Sequence, residues 1–365
     1  MFALLKPLKL FVTFDPVTTC SWTSRLHRFT AAVLVSFSLV LASCQFLGKP
    51  MNCLLNESFG SIPKEYIDDF CFVQTTFIAV DQMDPSSVGK RTAYPGVSAV
   101  RTEKLQDNTF YQWVCYVLCL QGLFFYLPLH LWSLWEGDKM KMLAMDLTSP
   151  LVAEDKKNER KKLLVDFFAQ NLHRHKSYAA VFYLCEFLSL VNVVGQMYLT
   201  DWFLGGKFFT YGLAVTGIRT SGEMKNASAA MALVFPKNAK CTYNRYGPSG
   251  TLEILDALCL LNHNVFNEKI YIALFCIFCL LAMVSFLVFV LYWMTLLCIR
   301  PLRTLQLKGQ TPLTATRDVE TVSQRFHADD WFVLSMLGHN INPVAFHELV
   351  TDLAAKLNKV DGAEV

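Results

Sequence analysis

Four cysteines stand out for the chemistry their spacing permits. Cys53 and Cys71 bound the stretch CLLNESFGSIPKEYIDDFC, and Cys241 and Cys259 bound CTYNRYGPSGTLEILDALC, with seventeen residues inside each pair. Both stretches are polar segments of a chain in which 53% of residues are hydrophobic. Thiols in such segments oxidise to disulfides when they face an oxidising compartment. Four cysteines admit three connectivities, and sequence alone does not separate them. Closing a loop of about 18 residues within either stretch is worth about 3 kcal/mol in the chain-entropy treatment. Bridges between the two stretches would instead tie the first half of the chain to the second.

Other candidate ligands carry less. Cys115 with Cys119 and Cys276 with Cys279 have metal-like spacings, but they lie in apolar runs without histidine or carboxylate company. They read as small residues of a membrane core. His173 and His175 sit in a basic stretch and read as structural or lipid-headgroup contacts rather than metal ligands. No residue set supports catalysis, and neither cofactor nor metal is called for. The net charge of +3 and the lack of a basic run interleaved with aromatics set nucleic acid aside.

The elements that must position the cysteines follow from hydropathy. A mean hydropathy of +0.32 and 13% aromatic content are too apolar for two or three soluble domains of a 365-residue chain. A bilayer core needs about 20 apolar residues per spanning helix. Four runs meet that length, and Trp113, Trp132, Trp135, Tyr178, Trp202, Tyr271 and Trp293 lie near their ends, where headgroups favour aromatic rings. The first run starts too late and is too long for a secretory leader, so it is expected to remain in the protein. Arg25, Arg28, Lys139, Lys141, Arg174, Lys176, Arg300 and Arg303 all fall on one side of the spans, which makes that side, and both termini, cytoplasmic. The expected organisation is a cytoplasmic N-terminal segment (1–28), a first span (29–47), a first outer loop (48–109), a second span (110–135) and a cytoplasmic helical loop (136–177). A third span (178–204), a second outer loop (205–269), a fourth span (270–298) and a cytoplasmic helical region (299–365) complete it. Both cysteine pairs then lie outside, where they are expected to stiffen one platform.

Within these segments, MFALLKPLKLFVTF reads either as an interfacial helix or as a short helix folded into a vestibule. The run EDKKNERKKLLVDFF predicts a cytoplasmic helix with a buried edge at Leu163, Leu164, Phe167 and Phe168. Asn342 followed by Pro343 opens another helix, with Phe346, Leu349, Val350, Leu353 and Leu357 on one stripe. The third span carries Glu186, Ser189, Asn192, Gln196 and Thr200 at steps of three and four, and an intramembrane carboxylate must face a partner or water. Pro128 removes a backbone donor from the second span and should kink it. The fourth span has almost no polar residue and should face lipid.

The segment FYQWVCYVLCLQGLFFYLPLHLWSLWEG resembles the second span of innexins, whose signature is Tyr-Tyr-Gln-Trp-Val, with Phe110 here in place of the first tyrosine. CEFLSLVNVVGQMYLTDWFLGGKFFTYG, VFPKNAKC, CLLNHNVFNEKIY and DWFVLSMLGHNINPVAFHELVTDLA are similar to further innexin blocks in the same order. The resemblance implies an all-α membrane protein: a four-transmembrane-helix subunit with disulfide-linked extracellular loops, some short β and a helical cytoplasmic domain, joined into a ring, typically an octamer. It implies a plasma-membrane channel for ions and small metabolites, working as gap junctions at a cell junction or as unpaired hemichannels. Its partners would be copies of itself, related subunits, an apposed channel in a neighbouring cell and membrane lipids. The implied bridges are Cys53 with Cys259 and Cys71 with Cys241. The implied pore-lining residues include Met1, Phe2 and Leu5 of the N-terminal segment. The stretch CQFLGKPMNC departs from the pattern, with Cys44, Lys49 and Asn52 in place of an arginine and two aspartates. If Lys49 faces the mouth, ring symmetry repeats its charge and weakens cation preference; the alternative is a place in a subunit contact. Asn56 and Asn226 each begin a glycosylation sequon, and a glycan there would obstruct docking. The competing reading of four spans and disulfide-bearing loops is an adhesion or scaffold protein without a pore.

Overall fold

The computed structural model describes residues 17–56, 59–60, 62–74, 76–80, 83, 94–97, 105–148, 153–217, 227–296, 300–312 and 314–361. Its helices are α1 (Trp22–Leu47), α2 (Lys64–Gln74), α3 (Val114–Glu136), α4 (Lys139–Ala144), α5 (Glu154–Gln170), α6 (Lys176–Phe203) and α7 (Phe208–Val215). They continue with α8 (Ala227–Val234), α9 (Asn262–Leu296), α10 (Arg300–Gln310), α11 (Thr316–Arg325), α12 (Ala328–Gly338) and α13 (Pro343–Asp361). The strands are β1 (Met51–Leu54), β2 (Phe77–Ala79), β3 (Leu105–Asp107), β4 (Asn238–Tyr246) and β5 (Leu252–Leu261). Among the described residues, α1, α3, α6 and α9 are the helices long and apolar enough to cross a bilayer. The first and fourth extend beyond the apolar runs at their N-terminal ends. Ser21 caps α1 through a bond from the Ser24 amide to its Oγ (3.0 Å), and α9 begins directly after β5.

The chain divides into two compact units. One draws on Thr30–Phe124 and Val193–Leu280 and carries the sheet. The short β expected in the outer loops is a five-stranded antiparallel sheet of order β1-β5-β4-β2-β3. Its long hairpin forms because β5 alternates with period two, burying Leu255, Ala257, Cys259 and Leu261 on one face. The turn closes where Gly247 N–H reaches Thr251 O (2.8 Å) and Gly250 adopts φ +80°, a left-handed conformation that suits glycine. Met51 and Cys53 of β1 join the buried face, and α2 packs on it through Ile67 and Cys71.

The other unit draws on Met1–Phe29, Phe125–Asn192 and Leu281–Val365. Its core gathers the α13 stripe Phe346, Leu349, Val350, Leu353 and Leu357 with Val319 and Val322 of α11 and Leu164 and Phe168 of α5. Asn342 Oδ1 accepts the Val344 amide (2.9 Å) at the start of α13. On α5 the buried edge is Leu164, Val165 and Phe168; Leu163 is exposed and Phe167 half-buried. The edge turns because Lys161 also faces α13, its Nζ lying 2.7 Å from Glu348 Oε2 and 3.7 Å from Asp352 Oδ2. Burial alone would lower the Lys161 pKa, but bonds and charge from Glu348 and Asp352 outweigh it and leave it raised. Lys356 and Asp166 add a second pair between the same two helices.

Candidate functional site

The sheet is crosslinked at two places by residues the sequence brings there through register. Cys53 and Cys259 stand opposite each other in the β1–β5 ladder and form one disulfide, with Cα atoms 3.9 Å apart. Cys71 on α2 and Cys241 on β4 form the other, with Cα atoms 5.8 Å apart. Cys241 pairs with Ala257 in the β4–β5 register, so Cys53, Cys241 and Cys259 lie on the same buried face, which α2 covers. Further contacts fix α2: Asp68 Oδ1 accepts the Cys53 amide (2.7 Å), and the Phe70 ring meets Tyr243 edge-on with centroids 5.0 Å apart. At the far end of α2, Phe72 O accepts bonds from Tyr111 OH (3.2 Å) and from the Gln112 amide. The result is a covalent ring through strand, helix and hairpin.

On the same unit, Lys49 Nζ lies 3.6 Å from Glu65 Oε1, with both side chains largely exposed. A pair so solvated contributes little to stability, but it sets a carboxylate beside the cation. Asn56 is exposed, and its carbonyl accepts the Phe59 amide (3.1 Å). Asn226, Met1, Phe2 and Leu5 lie outside the described residues.

The helical unit holds the chain where it enters α1. Glu186 of α6 is buried, and its carboxylate accepts bonds from Ser21 Oγ (2.5 Å), Thr23 Oγ1 (2.5 Å) and Ser24 Oγ (3.0 Å). A carboxylate at a helix N-terminus also meets the positive end of the helix dipole. Just upstream, the Thr18 amide donates to Asn340 Oδ1 (2.6 Å), and Asn340 Nδ2 returns a bond to Thr18 O (3.0 Å). Trp132 Nε1 donates to Thr19 O (3.2 Å). Residues 18–24 are therefore tied to α3, α6 and the α12–α13 turn. The sequence shows that Glu186 needs partners, but nothing in it names a serine more than 160 positions away.

The rest of the α6 stripe divides between the units. Ser189 is buried and Asn192 half-buried in the helical unit. In the sheet-bearing unit, buried Gln121 donates to Thr200 Oγ1 (2.8 Å), which donates to Gln196 O (2.7 Å). Such side-chain bonds hold spanning helices together where the hydrophobic effect does not. Gly122 serves the same end by having no side chain: a Cβ there would stand 2.8 Å from Val35 Cγ2 of α1. Pro128 is buried within α3, which stays helical through it. The fourth apolar helix, α9, is the least buried of the four, with Met283, Phe286 and Leu287 exposed.

One cluster is only half legible in the sequence. Asp330, buried at the start of α12, lies 2.9 Å from His175 Nδ1 and 3.2 Å from His173 Nδ1, and it accepts the His173 amide at 2.9 and 3.1 Å. The His327 ring stands 3.9 Å from that of His173, centroid to centroid. Burial pushes the Asp330 carboxyl up, but the bonds from His175 and His173 and their charge more than offset it, leaving the group below its ordinary value. His173 and His175, in the α5–α6 turn, are close enough to notice in sequence; their partners, His327 and Asp330, come from the start of α12.

Comparison with known proteins adds the last observation. A sequence model described as Innexin matches residues 21–357. The chain is 40% identical to the innexin inx2 of Schistocerca americana, covering 100% of both chains. It is 39% identical to the innexin inx2 of Drosophila melanogaster, over 98% of this chain and 96% of that one. Against the innexin shaking-B of Drosophila melanogaster it is 35% identical, over 98% and 95%.

Proposed function

The chain belongs to the innexin family and is a gap-junction channel subunit rather than an enzyme; from that premise we propose how its residues build the conduit. Eight copies form a ring around an aqueous pore that passes ions and small metabolites. The observation carrying this reading is the doubly bridged sheet, since a pore mouth must keep its shape while it is bathed by solvent and met by another surface. A platform ordered in advance loses less entropy on contact with its neighbours or with an apposed ring.

In this arrangement the sheet-bearing loops face the oxidising exterior, where their disulfides persist, and both termini are cytoplasmic. The spans are bounded as the sequence places them. Residues 1–16 continue from the anchored stretch 18–24 into the pore, bringing Met1, Phe2 and Leu5 to the narrowest region. There, radius and lining charge decide conduction. Lys49 lies at the outer mouth and, with Glu65 beside it, gives a locally neutral rim with weak cation preference. Asn56 and Asn226 carry glycans, and rings bearing them work as unpaired hemichannels in the plasma membrane; rings without them dock across cell junctions. Lipids surround the exposed face of α9, and related subunits join the ring through the contacts that join identical ones.

The test is end-on imaging of detergent-solubilised particles, with dye passage through the same preparation in liposomes. A ring of eight with a central hole and dye flux supports the reading. A lone four-helix particle without flux overturns it and returns the scaffold alternative.

A further inference from the structure

We propose that His173, His327 and Asp330 form a binding site for a divalent transition-metal ion of the zinc class, with water completing the coordination shell. The donor atoms of these three residues all lie within 4.8 Å of one another. Around Zn²⁺, ligands at about 2.0–2.1 Å in a tetrahedron stand roughly 3.3 Å apart, close to the 3.2 Å between His173 Nδ1 and Asp330 Oδ2, and the exposed His327 imidazole is the third donor within reach. The donor set is two imidazoles and one carboxylate. That set suits zinc and its neighbours, because imidazole favours them over magnesium and calcium, which prefer oxygen alone.

Two features make the cluster a built site rather than a chance meeting of surface histidines. Asp330 is buried, and its second contact, His175 Nδ1 at 2.9 Å, fixes the carboxylate in the way outer partners fix metal ligands. His173 adopts φ +67°, a left-handed conformation uncommon for residues with a side chain, and the Asp330 carboxylate holds it there through the His173 amide.

An ion here would clamp the turn between α5 and α6 to the start of α12. That turn leads directly into the span carrying Glu186, so occupancy would stiffen the helical unit from which residues 18–24 hang.

The experiment uses the full-length, tag-free protein in detergent, stripped with chelator and titrated with Zn²⁺ by calorimetry in excess Mg²⁺. Co²⁺ substitution then reports the ligands through its visible absorption. The expected result is one site per chain at micromolar or tighter affinity, weakened at least tenfold by His327→Ala, with the Co²⁺ band lost. His327 is exposed, so its replacement tests the ligand without unfolding the protein; His173→Ala provides an independent second removal. The proposal falls if the wild type binds no Zn²⁺ below about 100 µM, or if both variants keep full affinity and an unchanged Co²⁺ spectrum.

Discussion

Removing the Cys71–Cys241 bridge is the sharpest test of how the outer sheet is held. The two disulfides close one ring made of residues 53–71 and 241–259, about 38 residues in all, because each bridge short-circuits the long chain between its halves. In the chain-entropy treatment, opening a ring of that size restores about 4 kcal/mol of freedom to the unfolded loops. Treating each bridge alone, across the 170 or 206 residues it spans, would give about 5 kcal/mol, an overestimate because the other bridge already shortens the path. The two bridges are not equivalent in what survives their loss. Cys53 and Cys259 remain neighbours through the β1–β5 ladder, whereas α2 keeps only its packing and a few hydrogen bonds, those of Asp68 and of the Phe72 carbonyl. Cys71→Ala with Cys241→Ala, which avoids free thiols, should therefore lower the melting temperature of the purified protein and release α2 to proteolysis. Cys53→Ala with Cys259→Ala should cost a similar amount but leave α2 protected. The reasoning is refuted if the first double variant melts like the wild type, or if both variants expose α2 equally.

Two further outcomes follow from the packing. Glu186→Leu should destabilise the protein, because buried Thr23 and Ser24 each lose an acceptor at about 1–3 kcal/mol; Glu186→Gln, which keeps one acceptor oxygen, should fall between it and the wild type in thermal melting. Gly212→Ala gains up to about 1 kcal/mol in helix propensity but drives a Cβ into the Phe275 ring, itself held against Phe208 at 5.6 Å; overpacking at about 1–3 kcal/mol should win, and a stabilised variant in the same melting assay would show that the ring moves freely.

Much of the fold is legible in the chain because bilayer and oxidising solvent are severe environments with few solutions. Twenty apolar residues have one way to satisfy their backbone in lipid, so the four helices follow from composition. The stripe from Phe346 to Leu357 is equally plain, since its period is that of a helix with one covered side. Less plain is the extent of the sheet. β4 carries Lys240 and Asn244, and β5 Asp256, on the open face, while Arg245 and Glu253 pair with each other near the turn; these polar residues dilute the apolar count and the segment reads as loop. Only the alternation of Leu255, Ala257, Cys259 and Leu261 betrays it. Least plain are the partners of Glu186 and of His173, because they depend on which turns bring distant segments together.

Those unreadable contacts share a pattern that bears on gating. Thr18 is held by Asn340, Thr19 by Trp132, and Ser21, Thr23 and Ser24 by Glu186, so three independent elements fix the stretch that leads into residues 1–16. None of these bonds is made by the apolar surface that places α1 in lipid. A change in the α12–α13 turn can therefore shift Thr18 without disturbing the span, and a change at Glu186 can release the cap of α1 without unfolding α6. Energetically these are small contacts, each worth about 0.5–1.5 kcal/mol net when neutral and more when the acceptor is charged. Releasing a segment held by a few such bonds would cost only a few kcal/mol, the range in which a bound ion or a neighbouring subunit shifts a population. The disulfide ring, at about 4 kcal/mol per bridge, is the opposite kind of element: its covalent bonds hold one arrangement under conditions that would shift contacts as small as those at residues 18–24.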